Sequence, residues 1–183
     1  YGRVGDHSPY DYLGGQENFR RAVAALQRQG VPVGLYIEGY LVAEKGRIGK
    51  EHGKAWQIMQ RNGELMYYQP GSTEMMMCPW LDAWRKTQVE TYRQKVSELG
   101  VDGMYMDQFG FANPQKDCWS PAHGHPVPGS TMGAEKQFAD LVHGAISAVN
   151  PRAALYGEET PCDVASQYQE GSFSYHMQRC RQT

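Results

Sequence analysis

Three short segments repeat one pattern, and that repeat most limits what the chain can fold into. Leu35-Tyr36-Ile37-Glu38, Met104-Tyr105-Met106-Asp107 and Leu155-Tyr156-Gly157-Glu158 each begin with an apolar residue, carry a tyrosine second and end in an acid. Side chains alternate across a strand, so the tyrosine and the acid of each segment share one face. Leu35 with Ile37, and Met104 with Met106, share the other face, which suits packing against helices.

Helical patterns separate the segments. Phe19, Val23 and Leu26 predict a helix over 17–29, stopped by Gly30. Leu81, Trp84, Gln88, Tyr92, Val96 and Leu99 predict a second over 80–99, stopped by Gly100. Phe138, Leu141, Val142, Ala145 and Ile146 predict a third over 134–149, ended by Asn150-Pro151. Strands are expected at 31–41, 101–108 and 152–159, with short candidates at 64–68 and 172–175. Residues 42–79 are too long for a plain connection and are expected to be an elaborated functional loop with local structure.

Strands alternating with helices pair in parallel through right-handed crossovers. The helix-to-strand turns are short and the strand-to-helix loops long. That asymmetry belongs to an α/β chain of the (β/α)8 TIM-type barrel class, whose active face is built at the carboxyl ends of the strands. A doubly wound sheet shares the alternation, but the chain has no GxGxxG or GxxxxGK[ST] phosphate loop. A complete barrel takes about 250 residues, and this chain has 183. The expectation is a partial barrel: residues 1–183 as a single catalytic-barrel segment of a longer protein, with the remaining strands outside it. The start at Tyr1 fits that expectation.

A net charge of −2 argues against a nucleic-acid partner, and no apolar run is long enough to span a membrane. The four cysteines allow two disulfides; they contain no CxxC, which argues against a zinc ribbon.

In a barrel the three strand-end acids converge on one mouth. A lone strand-end acid caps a helix or faces solvent more often than not, but three in one register, each two residues after a tyrosine, make that reading the weaker one. Several carboxylates in an aromatic cleft suit glycoside hydrolysis, in which one attacks or activates water and another protonates the leaving oxygen. Crowded like charges keep one acid protonated near neutral pH. Tyr40, Trp56, Tyr67, Tyr68, Trp80, Phe109 and Trp119 lie on or near the long loops and could stack on sugars, although most such aromatics pack in cores.

The run Val101-Asp102-Gly103-Met104-Tyr105-Met106-Asp107-Gln108 resembles the fourth strand of retaining glycosidase barrels of the α-glucosidase and α-galactosidase clans. The wider pattern resembles an uncharacterised bacterial glycoside-hydrolase-like family. It is carried by Gly34-Leu35-Tyr36-Ile37, Tyr105-Met106-Asp107-Gln108, Cys118 followed by His123-Gly124-His125-Pro126, and Gly157-Glu158-Glu159-Thr160-Pro161 leading to Asp163. The resemblance implies a retaining glycoside hydrolase with Asp107 as nucleophile, a carbohydrate substrate, and an extracellular or periplasmic location. The acid/base matches Glu158 in the α-amylase-like pattern, with Glu159 second; in the α-galactosidase-like pattern it is an Asp on a later strand, beyond Thr183.

Glu38, Tyr36, Tyr105, Trp80, His123, His125 and Asp163 complete the expected substrate-binding set. No cofactor is required. His123-Gly124-His125 also has the form of half a metal site, but it sits in a proline-rich loop rather than at a strand end. Binding sugar hydroxyls or pinning the loop is the favoured reading, and no metal is expected. A non-catalytic carbohydrate-binding barrel and a metal-dependent hydrolase are the rival readings.

Overall fold

The computed structural model describes residues 4–7, 14–109, 116–158 and 166–173. Its elements run α1 (Gly15–Gln27), β1 (Gly34–Glu38), β2 (Leu41–Ala43), α2 (Arg47–Trp56), β3 (Glu74–Met76), α3 (Asp82–Leu99), β4 (Gly103–Asp107), α4 (Thr131–Val149), β5 (Ala154–Gly157) and β6 (Gly171–Ser172). The order β1-β4-β5-β6 forms one four-stranded sheet, parallel throughout. The fold is therefore α/β, with the expected helix-strand alternation.

One face of the sheet is covered by helices. Ile37, Met104, Met106 and Leu155 point into it and are buried. On α3, Trp84, Gln88, Tyr92, Val96 and Leu99 are buried along the stripe set by their spacing. On α4 the buried stripe is Ala134, Glu135, Phe138, Ala139, Val142 and Ile146, beginning at Thr131. Leu141 is exposed instead of inward; it lies about 100° round the helix from Val142, off the stripe. Leu26 is exposed as well, because α1 buries only Val23. Gly30 and Gly100 both take left-handed φ values, 78° and 68°, as the helix stops require.

The expected strand over 31–41 is two strands. The chain bends after Glu38, and β2 leaves the main sheet to pair with β3 in an antiparallel ladder. Residues 42–79 thus carry local structure as expected, in the form of a helix and, with Leu41, a small antiparallel sheet. The first amides of α2 are satisfied from outside the helix, where Asp6 accepts from the backbone N–H of Arg47 at 2.7 Å and of Ile48 at 3.0 Å. The candidate strand at 64–68 makes isolated antiparallel bridges, Leu65 to Met59 and Tyr67 to Met75. Tyr40 and Phe109, considered as sugar platforms, are fully buried core residues.

The opposite face of the main sheet carries a tyrosine row. Tyr36, Tyr105 and Tyr156 stand side by side in register. The Tyr36 and Tyr105 rings are 5.6 Å apart, and Phe173 lies 5.1 Å from Tyr105. These rings line an open groove of about 520 Å³. No helix among the described residues is long and apolar enough to cross a membrane.

Candidate active site

The parallel register brings the strand-end acids together. Glu38 and Asp107 are direct partners at the carboxyl ends of β1 and β4. Two residues back along each strand, the tyrosines share their face and reach forward to them. The Tyr36 hydroxyl lies 2.5 Å from Asp107 Oδ2 and 3.2 Å from Glu38 Oε2. The Tyr105 hydroxyl donates to Asp107 Oδ1 at 3.2 Å. Asp107 therefore receives two phenols, one on each carboxylate oxygen. Burial and the neighbouring carboxylates push the Tyr36 phenol up, so it remains a proton donor.

Glu38 is held neutral. Burial, and then the charge of Asp107, push its carboxyl up to about 8. The backbone N–H of Tyr40 donates to its Oε1 at 3.3 Å and partly offsets this. Beneath it, the buried Gln88 of α3 donates its side-chain amide to the Glu38 carbonyl at 3.4 Å. One carboxylate and one carboxylic acid side by side is the state that like-charge crowding in a desolvated site produces.

The third acid joins through the backbone. Gln108, immediately after Asp107, has φ 57°, a left-handed conformation that is costly for a residue with a side chain. That turn aims its N–H at Glu158, whose Oε2 accepts at 2.8 Å. Its carbonyl accepts from Lys116 Nζ at 3.2 Å. Lys116 is buried against the Tyr40 ring, with its ammonium 4.7 Å from the ring centroid. Desolvation pushes its pKa down, opposed by the neighbouring acids Glu135, Glu38, Glu158 and Asp107 to the extent that each is ionised. Tyr40 in turn donates its hydroxyl to Glu135 Oε1 at 2.7 Å.

Over Glu38 and Asp107 lies a cavity of about 240 Å³, whose walls include His7, Tyr36, Tyr68 and Gln108. Burial pushes the His7 imidazole down to about 4, so it is neutral there.

The structure thus groups Asp107, Glu38, Glu158, Tyr36 and Tyr105. The contacts of Trp80, His123 and His125 run elsewhere. Trp80 donates its indole N–H to the Ser130 carbonyl at 2.7 Å and packs near His125. The two histidines turn to Cys118 and Cys78. Glu159 and Asp163 lie outside the described residues.

From the sequence no role is assigned to Lys116, His7 or Gln108, the last named only as the end of a motif. One signal pointed to Lys116: it is the only lysine or arginine between Phe109 and Gly133, in a loop following a strand that ends in an acid.

Residues 5–161 match the family model described as "Domain of unknown function (DUF6259)". A Monosiga brevicollis protein named "Putative glycoside hydrolase 22789" is 27% identical over 168 residues, covering 85% of this chain and 14% of that protein. The chain therefore spans about a seventh of that curated relative. Among solved structures, the α-N-acetylgalactosaminidase of Bifidobacterium bifidum in complex with GalNAc superposes with a TM-score of 0.73 at 16% identity, covering 94% of this chain and 26% of its own. The α-galactosidase of Thermus thermophilus in complex with stachyose gives 0.66 at 15%, covering 93% and 34%. The chain has the fold of the corresponding portion of these glycosidases.

Proposed function

The chain belongs to the DUF6259 family, and we propose that it supplies the nucleophile-bearing part of a retaining glycoside hydrolase. The observation that carries the reading is the strand-end pair Glu38–Asp107, in which Tyr36 and Tyr105 support Asp107 and Glu38 is kept neutral beside it. The relative's name and the glycosidase folds among solved structures support the same class.

In this mechanism an Asp107 oxygen attacks the anomeric carbon as the glycosidic C–O bond breaks. Glu158, with Glu159 as second choice, gives its proton to the departing oxygen. Water then attacks the anomeric carbon of the glycosyl-Asp107 ester, passing its proton back to the same acid, and Asp107 leaves as carboxylate. Glu38 keeps a second negative charge away from the nucleophile, and the two phenols hold the orientation of its carboxylate. No cofactor enters the chemistry.

The sheet belongs, on this reading, to a (β/α)8 barrel whose other strands lie outside the chain. Support comes from the tyrosine row. Parallel sheets are ordinarily covered on both faces, yet here Tyr36 and Phe173 are 59% and 55% exposed. A barrel interior would cover them.

A panel of activated aryl glycosides and polysaccharides tests the proposal. Turnover of at least one substrate, reduced about 10³-fold or more in Asp107→Asn, is expected. Glycan binding that survives Asp107→Asn with no hydrolysis of any substrate would instead indicate a non-catalytic binding protein.

A further inference from the structure

Two thiols and two imidazoles meet where the β4–α4 loop packs on the excursion between β1 and α3. Cys78 follows β3, whereas Cys118, His123 and His125 come from the loop before α4. The donor atoms of all four lie within 4.8 Å of one another. Cys78 Sγ is 3.5 Å from His125 Nε2, and Cys118 Sγ is 3.4 Å from His123 Nδ1. Zinc bonds of about 2.3 Å to sulfur and 2.0–2.1 Å to nitrogen, at tetrahedral angles, separate sulfur from nitrogen by about 3.5 Å. The observed spacings match.

The outer nitrogens strengthen the case. His123 Nε2 lies 3.0 Å from the Ala55 carbonyl, and His125 Nδ1 lies 2.7 Å from the Pro126 carbonyl. A carbonyl only accepts, so these nitrogens carry the ring protons. In the neutral rings, the nitrogens facing the two sulfurs are then left with free lone pairs. Metal-binding histidines are oriented in the same way by backbone carbonyls. The backbone is held as well: Cys118 exchanges hydrogen bonds with Gly129, and the Cys78 N–H donates to the Trp56 carbonyl at 2.8 Å. Gly129 is required for space, since a Cβ there would lie 2.7 Å from His125 Nδ1.

We propose that Cys78, Cys118, His123 and His125 form a structural zinc site, coordinating through Sγ, Sγ, Nδ1 and Nε2. Binding Zn²⁺ releases the two thiol protons, and two thiolates with two neutral imidazoles leave the site uncharged, which suits its two buried sulfurs. Four protein ligands leave no open position for substrate or water, so the metal is structural rather than catalytic. It staples the β3 exit to the loop that carries Lys116 and Asp117, and so holds the floor of the carboxylate site.

The test is metal analysis of the purified, reduced protein. About one zinc per chain is expected. Cobalt-loaded protein should show visible bands of tetrahedral cobalt and near-ultraviolet thiolate-to-cobalt charge transfer. Cys118→Ser should lose the charge transfer in large part, His125→Gln should weaken zinc binding at least 10-fold, and Asp107→Asn should bind zinc as the unmodified protein does. The partly exposed His125 keeps the test decisive if Cys118→Ser does not fold. Reduced protein that takes up no cobalt with charge transfer, undiminished zinc affinity in His125→Gln, or a Cys78–Cys118 disulfide in metal-free protein as isolated would each overturn the proposal.

Discussion

Glu38 and Asp107 face each other in register at the ends of adjacent parallel strands and meet at one tyrosine hydroxyl, that of Tyr36. The pair makes stability depend on pH. The Glu38 carboxyl titrates near 8 in the folded protein against 4.5 for the free group. Between those values the folded protein holds a proton that the unfolded chain has released. Its contribution is therefore complete below about pH 4.5 and is lost as pH rises toward 8, at on the order of 1 kcal/mol per pH unit. Glu38→Gln, which cannot ionise, should flatten this slope. Urea midpoints at pH 5 and pH 8 in the two proteins measure it; equal slopes would mean that Glu38 ionises normally.

Lys116 is the buried cation among four acids. Replacing it with methionine retains the bulk of the side chain but leaves the ionised members of that group without their cation. Lys116→Met should destabilise the protein by about 3–5 kcal/mol. The loss should be larger at pH 8 than at pH 5, because Glu38 becomes charged as pH rises. Denaturation at both pH values reports it, and a loss independent of pH would detach Lys116 from Glu38.

Asp117 anchors the start of α4. Its Oδ1 accepts from both the backbone N–H and the hydroxyl of Thr131, at 2.7 and 2.9 Å. Asp117→Ala removes a helix cap and should cost about 1 kcal/mol, read from the shift in urea midpoint.

Much of the carboxylate site was legible in the sequence because the period of a strand is two. The tyrosine and acid of Tyr36-Ile37-Glu38 and Tyr105-Met106-Asp107 had to share a face, and parallel pairing then set them side by side. The helix stripes were legible for the same kind of reason, with errors at Leu26 and Leu141 on stripe margins, where periodicity alone does not define how wide the buried face is. Local structure was expected in the excursion from Leu41 to Met77, but its form was not legible, since its short antiparallel strands are paired by tertiary contacts rather than by a repeating pattern. The cluster around Cys118 stayed hidden for a related reason. Its fourth member, Cys78, is forty residues away and arrives through that excursion, so no local spacing announces it. Lys116 had one clue, that it is the only lysine or arginine between Phe109 and Gly133.

In the proposed mechanism Asp107 forms a covalent bond to the sugar. A fluorinated glycoside of whichever sugar the substrate panel identifies, chosen to slow hydrolysis of the intermediate, tests it directly. Peptide mass spectrometry of the trapped protein should place one glycosyl group on Asp107, and Asp107→Asn should take up none. A glycosyl group on another residue, or turnover that inverts the anomeric centre with no adduct, would contradict Asp107 as the nucleophile.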